Sequence, residues 1–96
     1  MKTKIIKAVC DETRLELLLR LQKSEACACE LPIFVKVSQP AVSQHLKVLL
    51  EAGLVEMRKK GTRRIYSLSR KGAKVLKDIS RWENENRDFG NRMLKL

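Results

Sequence analysis

Polar and basic side chains are concentrated in two neighbouring stretches of the chain. Residues 38–47 carry amides, hydroxyls and an imidazole, and these groups hydrogen-bond to the edges of base pairs. Residues 58–71 contain seven basic side chains and no acidic one, a pattern that suits contact with a phosphate backbone. We therefore expect contacts with double-stranded DNA from Ser38, Gln39, Ser43, Gln44, His45, Lys47, Arg58, Lys59, Lys60, Arg63 and Arg64.

The first of these stretches lies on a predicted helix. Ser38 is a strong N-cap, and Pro40 is tolerated in the first helical turn. Gly53 provides the C-terminal stop. Between them, an apolar stripe at helical spacing faces the core and leaves the polar residues outside. The stripe consists of Val42, Leu46, Leu49 and Leu50.

The second stretch lies on a predicted β-hairpin. After the helix, the hydrophobic period changes from helical to alternating, with Val55 and Met57 on one strand. Residues 60–62 supply a turn, and Tyr66 and Leu68 alternate on the way back. The basic residues therefore lie on a hairpin that directly follows the polar helix.

Two helices are predicted near the N-terminus. The first is short and contains Ile5, Ile6 and Val9. Asp11 reads as the N-cap of the second, which covers residues 13–22 with leucines at helical spacing.

A third helix is predicted within residues 25–37, and a last one follows the hairpin. Pro32 is tolerated only near a first turn, which places the start of the third helix close to Cys29. Ser69 caps the last helix. Its apolar and seam positions follow a 3-4 spacing: Val75, Ile79, Trp82, Asn86, Phe89, Met93 and Leu96.

This order of elements predicts a winged helix-turn-helix, a mainly α fold with a small antiparallel β-hairpin. The 96 residues fit one DNA-binding domain over 1–96, with dimerisation helices at its ends. The net charge of +10 favours a polyanionic partner. A merely solvated polar face is the alternative, and the clustering of the charge on the hairpin argues against it.

Other functional classes find little support. No Ser/His/Asp set, Gly-rich phosphate loop or pair of catalytic carboxylates stands out, so an enzyme is not expected. No apolar run approaches a membrane span, and the N-terminus lacks a signal peptide's apolar stretch. We therefore expect a cytoplasmic protein without a membrane partner. Its three cysteines are expected to be reduced thiols.

Four segments of the chain together resemble the arsenic-repressor (ArsR/SmtB) family of metal-responsive repressors. They are AVCDETRLELLLRL, ACACELP, SQPAVSQHLKVLLEAGLV and KKGTRRIYSL, within about residues 5–69. The resemblance implies a winged-helix homodimer that leaves its operator when an effector binds. It also implies a dimer interface from the terminal helices, to which we assign Ile5, Ile6, Val9, Ile79, Trp82 and Phe89.

Cys27 and Cys29 are similar to the Cys-x-Cys with which this family binds soft metals or arsenite. Thiolates are soft ligands, but on a regular helix two such residues point about 200° apart. They share one ion only if Cys27 precedes the helix or the first turn deforms. The pair is expected to sit off the DNA face. The alternative is that both are small buried apolar residues.

A third sulfur is not evident. Arsenite-binding members often carry a cysteine three residues after the pair, where this chain has Pro32. Cys10 lies across the second helix, about 18 Å from Cys27, and could join the site only across a dimer or after a rearrangement. We expect Cys10 to be a packed core residue. The family's other metal site, on the last helix, looks absent because Asp78, Glu83 and Glu85 have no histidine beside them.

The sequence thus favours a repressor released by arsenite, antimonite or a soft divalent metal, with no obligatory cofactor. Two alternatives remain open. One is a repressor that senses thiol oxidation, and the other is a DNA-binding protein without an effector.

Overall fold

The computed structural model describes residues 2–81, with side chains from Lys4 onward. Apart from one additional short strand, its elements follow the predicted order, and the mainly helical fold with an antiparallel hairpin is confirmed. Trp82, Phe89, Glu83 and Glu85 lie outside the described residues. The elements are α1 (Lys2–Val9), α2 (Glu12–Lys23), β1 (Ala26–Cys27), α3 (Leu31–Val35), α4 (Gln39–Glu51), β2 (Val55–Lys60), β3 (Arg63–Leu68) and α5 (residues 70–81).

Side-chain caps fix the starts of α2 and α4, as predicted. The backbone N–H of Arg14 donates to Asp11 Oδ1 over 3.0 Å at the start of α2. This bond stabilises the charged carboxylate and lowers the pKa of Asp11. At the start of α4, the N–H of Ala41 donates to Ser38 Oγ over 3.3 Å. Gly53, with φ of +75°, ends the same helix because this left-handed conformation favours glycine.

The hairpin belongs to a three-stranded antiparallel sheet in the order β1-β3-β2. Strands β2 and β3 pair from Val55 opposite Leu68 to Lys60 opposite Arg63, and Gly61 turns the chain with φ of +65°. This confirms the predicted hairpin. We call residues 55–68 the wing.

Strand β1 was not predicted. The short helix predicted within residues 25–37 is present, but it begins two residues after Cys29, where its start was expected. Cys27 pairs with Ile65 of β3, because the free edge of a hairpin offers unpaired backbone groups to a neighbouring extended segment. Helix α3 begins only at Leu31, with Pro32 in its first turn, and ends before Lys36, whose φ is 57°.

Leucines from three helices form the centre of the core. They alternate with polar residues at helical spacing, so each helix buries one face. Fully buried are Leu17 and Leu18 of α2, Leu31 of α3, Leu46 and Leu49 of α4, and Leu54 just before the wing. The core therefore holds α4 by one face and leaves its opposite face exposed.

Ser69 joins α4, the wing and α5 at one point. Its hydroxyl donates to Gly53 O over 2.7 Å and accepts from Gly72 N over 3.0 Å. This confirms its predicted capping role. A Cβ at Gly72 would overlap the carbonyl oxygen of Leu54, so α5 starts in direct contact with the backbone that enters the wing.

The terminal helices only partly bury their apolar residues. Ile6 is 59% exposed, whereas Ile5, Val9 and Ile79 are half-buried. Their role in a dimer stays a prediction. Within residues 2–81, none of the helices has the length and apolar character needed to cross a membrane.

Candidate nucleic-acid interface

A groove of about 770 Å³ lies between α4 and the wing. One wall consists of Gln39, Pro40, Ser43, Gln44, Lys47 and Leu50, and the other of Met57, Thr62, Arg63, Arg64 and Tyr66. The floor near the start of α4 is formed by Cys27, Ala28 and Cys29. Six of the residues expected to contact DNA therefore line one groove, four from α4 and two from the wing.

Helical spacing explains which residues of α4 reach the groove. Gln39, Ser43 and Lys47 recur every four residues and are exposed, while Val42 and Leu46 are fully buried. Residues four apart share a helix face. The groove wall thus lies opposite Val42 and Leu46, and it carries two amides and a hydroxyl, groups that can pair with base edges. Leu50, predicted to face the core, is half-buried and lines the groove.

His45 does not line the groove. It is half-buried, and its Nδ1 lies 3.4 Å from Nη1 of Arg14 on α2. Neighbouring helical residues differ by about 100°, so the burial of Leu46 turns His45 towards α2. Its predicted contact with DNA is not supported by this position.

The basic residues of the wing fall into two groups. Arg63 and Arg64 of β3 line the groove. Arg58 of β2 instead forms two hydrogen bonds to the carboxylate of Glu25, with Nη2–Oε1 of 2.6 Å and Nη1–Oε2 of 3.1 Å. A paired guanidinium is less available to a phosphate than a free one. Lys59 and Lys60 are exposed on β2, and Ser38 uses its hydroxyl as the helix cap.

The thiol loop, residues 27–29, brings two sulfurs together. Cys27 lies at the end of β1, and Cys29 lies in the turn before α3. The thiol of Cys29 contacts Cys27 Sγ as a donor, and the backbone N–H of Cys29 donates to the same sulfur over 3.4 Å. Both cysteines are free thiols.

These contacts separate the pKa values of the two thiols. The hydrogen bond from the Cys29 thiol, the Cys29 N–H and the charge of Arg63 all lower the pKa of Cys27. The same thiol-to-thiol bond raises the pKa of Cys29. Cys27 therefore becomes a thiolate first, and a thiolate is the form that binds metals and attacks oxidants.

The thiol loop fits a soft ion as a two-sulfur ligand. Cys27 precedes α3, which meets the geometric condition for sharing one ion. Two sulfurs bound tetrahedrally at about 2.3 Å lie about 3.8 Å apart, so a small side-chain rotation from the observed contact suffices. In the described part of the chain, no group of three or more His, Cys, Asp or Glu side chains could hold an ion.

Two expectations about the cysteines are wrong. Cys10 is exposed rather than packed, because it sits in the turn between α1 and α2, outside the stripe that each helix buries. The thiol loop does not sit off the DNA face either, since it lines the same groove as Gln39 and Arg63. Only its strand pairing with β3, invisible to local pattern, puts it there.

Comparisons with known proteins decide the family. Residues 11–57 match the family described as "Bacterial regulatory protein, arsR family". The arsenical resistance operon repressor of Escherichia coli is 38% identical over 86 residues, which are 84% of this chain and 74% of that protein. The chain belongs to the arsR family.

Two further comparisons show how much of a relative the chain covers and which fold it shares. The arsenical resistance operon repressor of Staphylococcus xylosus is 42% identical over 65 residues, 68% of this arsR-family chain but 62% of the relative. A homodimeric winged helix-turn-helix DNA-binding domain from Mycobacterium bovis has a similar structure, with a TM-score of 0.83, 24% identity, and coverage of 91% and 82% of the two chains. The winged helix-turn-helix fold is confirmed.

Arg14 is a structural residue of this arsR-family chain that the sequence did not single out. Its Nε donates to Ala8 O over 2.9 Å and its Nη2 to Lys7 O over 3.0 Å, which caps the free carbonyls at the end of α1. The same guanidinium contacts His45. Arg14 thus ties α1 to α4. An arginine near the start of a helix is a common pattern, so the sequence held no signal for these partners.

Proposed function

We propose that this chain is a transcriptional repressor that binds operator DNA as a homodimer. The observation that carries the proposal is the groove between α4 and the wing. Base-reading side chains such as Gln44 form one wall, and Arg63 and Arg64 form the other. A recognition helix in the major groove with a basic wing on the backbone uses both walls at once.

The apolar residues of the terminal helices support the dimer. Ile6 is largely exposed on α1, and the sequence after Ile79 repeats the 3-4 apolar spacing at Trp82 and Phe89. Joined through these helices, two copies would place their recognition helices about 34 Å apart, one turn of DNA. Sedimentation at micromolar concentration tests this, and a wild-type monomer would contradict it.

A footprint on the DNA upstream of the chain's own gene tests the repressor. We expect two protected half-sites about one helical turn apart, lost when arsenite is added. A shuffled fragment of equal length is the control. Equal affinity for both fragments would refute operator binding.

We further infer that the effector is arsenite or another soft ion held by Cys27 and Cys29. Three points support this: the sulfurs are in contact, the pKa of Cys27 is lowered by its neighbours, and relatives are named arsenical resistance operon repressors. A third donor would come from beyond the thiol loop, such as Cys10 of a second copy.

Serine substitution tests the sensor. The double change of Cys27 and Cys29 to serine should leave DNA affinity within about threefold, because serine is close in size, and should abolish release because hydroxyls are poor ligands for soft ions. Cys10→Ser is the matched control. It keeps release if the loop acts alone and loses it if Cys10 supplies the third sulfur. Release that persists in the double variant would refute the sensor.

The sulfur contact also favours a second candidate, a thiol-oxidation sensor. Peroxide would oxidise Cys27 and Cys29 to one disulfide while being reduced to two waters. An experiment that separates the oxidation sensor from the metal sensor treats the protein with mild peroxide in the absence of metal. Free thiols are then counted and DNA affinity is measured. Loss of two thiols together with DNA affinity supports oxidation sensing, and unchanged affinity excludes it.

A further inference from the structure

Helix α3 is apolar on every side. All five of its residues, Leu31 to Val35, are apolar, and a helix of that kind is normally buried all round. Leu31 and Val35 are buried in the core. Ile33, which lies opposite them on the helix, is 84% exposed, and Phe34 is 48% exposed. The outer side of α3 is therefore an apolar surface that the described part of the chain leaves open.

Leu19 of α2 extends this surface. It is 45% exposed, and together with Phe34 it lines a hollow of about 400 Å³ between α2 and α3. We call Leu19, Ile33 and Phe34 the α2–α3 face. Single exposed apolar residues are ordinary on a protein surface, but a cluster of large ones marks a site of interaction.

The α2–α3 face is separate from the groove between α4 and the wing, because its residues stand outside the walls of that groove. In a helix-turn-helix, the second helix enters the major groove while the first helix crosses the DNA backbone. Helix α3 is the first helix of the motif here. Its outer side would therefore face along the duplex, towards whatever occupies the neighbouring stretch of DNA.

The same face is complementary to itself. In a two-fold contact, each feature of one copy must meet its complement on the other copy. Ile33 is the projecting feature, and the adjacent hollow carries Glu16 and Lys36 on its walls. The salt bridges among the described residues involve neither of these two charged side chains. Two copies can therefore place Ile33 of each in the hollow of the other, and Glu16 of each beside Lys36 of the other.

The charge of the chain makes such a contact depend on DNA. Each copy carries a net charge of +10, so free copies repel one another. A DNA duplex carries one negative charge per about 1.7 Å of its axis, which offsets the repulsion between bound copies. The contact is therefore weak in solution and is favoured between neighbours on one duplex.

We propose that the α2–α3 face joins neighbouring repressor dimers on DNA: Ile33 of one copy packs into the hollow of a copy in the next dimer, so that occupation of one site strengthens binding at the adjacent site. The occupant of the face is a second copy of this chain. The inference rests on the proposed binding of operator DNA by a homodimer. It gives each chain two interfaces, one within the dimer and one between dimers, and two such interfaces allow a row of dimers to follow the duplex.

Paired operator sites test the inference. DNA fragments carry the footprinted site once, or twice at every separation from about 0 to 10 base pairs, one helical turn. Footprint titration gives the cooperativity factor, the dissociation constant of a lone site divided by that of the same site beside an occupied one. For the wild type we expect a factor of roughly 5 to 150 at one or two separations, because a direct contact fixes both the distance and the rotation between dimers.

Three substitutions at the face give the matched comparison. Ile33→Ser should lower the cooperativity factor to near unity. It should leave affinity for a lone site within about twofold, because an exposed side chain contributes little to the fold. Glu16→Lys and Lys36→Glu should each lower the factor, because each brings like charges together across the contact. The double exchange, Glu16→Lys with Lys36→Glu, restores opposite charges and should restore the factor.

A wild type that binds lone sites without cooperativity at any separation would overturn the inference and leave the repressor intact. A wild type that does not bind the operator would refute the repressor and the inference together. A double exchange that is no better than the single changes would overturn the two-fold contact.

Other occupants of the face give different results for Ile33→Ser. If this variant keeps the wild-type cooperativity factor, the inference is overturned. A fall in its unfolding free energy would then assign the face to residues of the same chain beyond 81, and unchanged stability would assign it to a different protein. If Ile33→Ser sediments as a monomer where the wild type is a dimer, the face belongs to the interface within the dimer, which also overturns the inference.

Discussion

Gln44 and His45 are consecutive residues of α4, yet they serve opposite sides of the helix. Gln44 lines the groove shared with the wing. His45 turns inward to Arg14, which itself caps the end of α1. The outward face of α4 is therefore accessible to DNA. The inward face packs against the rest of the domain and so sets the position of the helix. Polarity alone does not distinguish the two faces.

The wing repeats this contrast between its strands. Arg63 of β3 faces the groove, whereas Arg58 of β2 is held by Glu25. The charge available to a phosphate is thus smaller than the basic residues of the hairpin suggest. Four substitutions test these differences, and their expected effects decrease in the order given.

Leu46→Ala should have the largest effect, because Leu46 is fully buried on the inward face. A cavity at such a site lowers the free energy of unfolding by about 2–5 kcal/mol. Urea denaturation followed by circular dichroism measures it. Ser43→Ala on the outward face is the control, with a change within about 0.5 kcal/mol. Similar losses for both variants would mean that the two faces are not distinct.

Gln44→Ala should weaken binding to the specific operator by about 1–3 kcal/mol, because a contact to a base edge is lost. Binding to random DNA should change little. Fluorescence anisotropy with both sequences checks the difference. Equal losses on the two would remove the base-reading role of the outward face.

Arg63→Ala should reduce the slope of log affinity against log salt by about 1 on every sequence, because one phosphate contact is lost. Arg58→Ala should change the slope less, since its guanidinium is already paired with Glu25. Titrations at several salt concentrations compare the variants. A larger slope change for Arg58→Ala would show that DNA takes Arg58 from Glu25.

His45→Ala should have the smallest effect on DNA. Its side chain faces Arg14 rather than the groove, so affinity for the operator and for random DNA should stay within about twofold. Unfolding free energy should fall by about 1 kcal/mol for the lost contact. A loss of specificity like that of Gln44→Ala would place His45 on the DNA after all.

Local signals in the sequence predicted much of this fold. The caps at Asp11, Ser38 and Ser69 and the stop at Gly53 lie within a few residues of the bonds they make. Each could be predicted because capping depends on neighbouring residues only. The four groove residues of α4 could be located because the faces of that helix follow from its buried stripe, and the two of the wing because the hairpin pattern is also local.

The features that the sequence missed depend on partners far along the chain. Strand β1 exists because β3 has a free edge, 38 or more residues later. Arg58 meets Glu25 across 33 positions, and Arg14 meets His45 across 31. Residue type and spacing carry no information about such pairs, and so the thiol loop was misplaced relative to the groove.

The joint at Ser69 has a consequence for any two-fold assembly built on α5. Because Gly72 rests against the Leu54 carbonyl and Ser69 holds Gly53, the start of α5 has no freedom to slide relative to the end of α4. In such an assembly, the angle at which the two copies of α5 cross would determine the distance between the two recognition helices. A side chain at residue 72 would therefore change the distance between the recognition helices without contacting DNA.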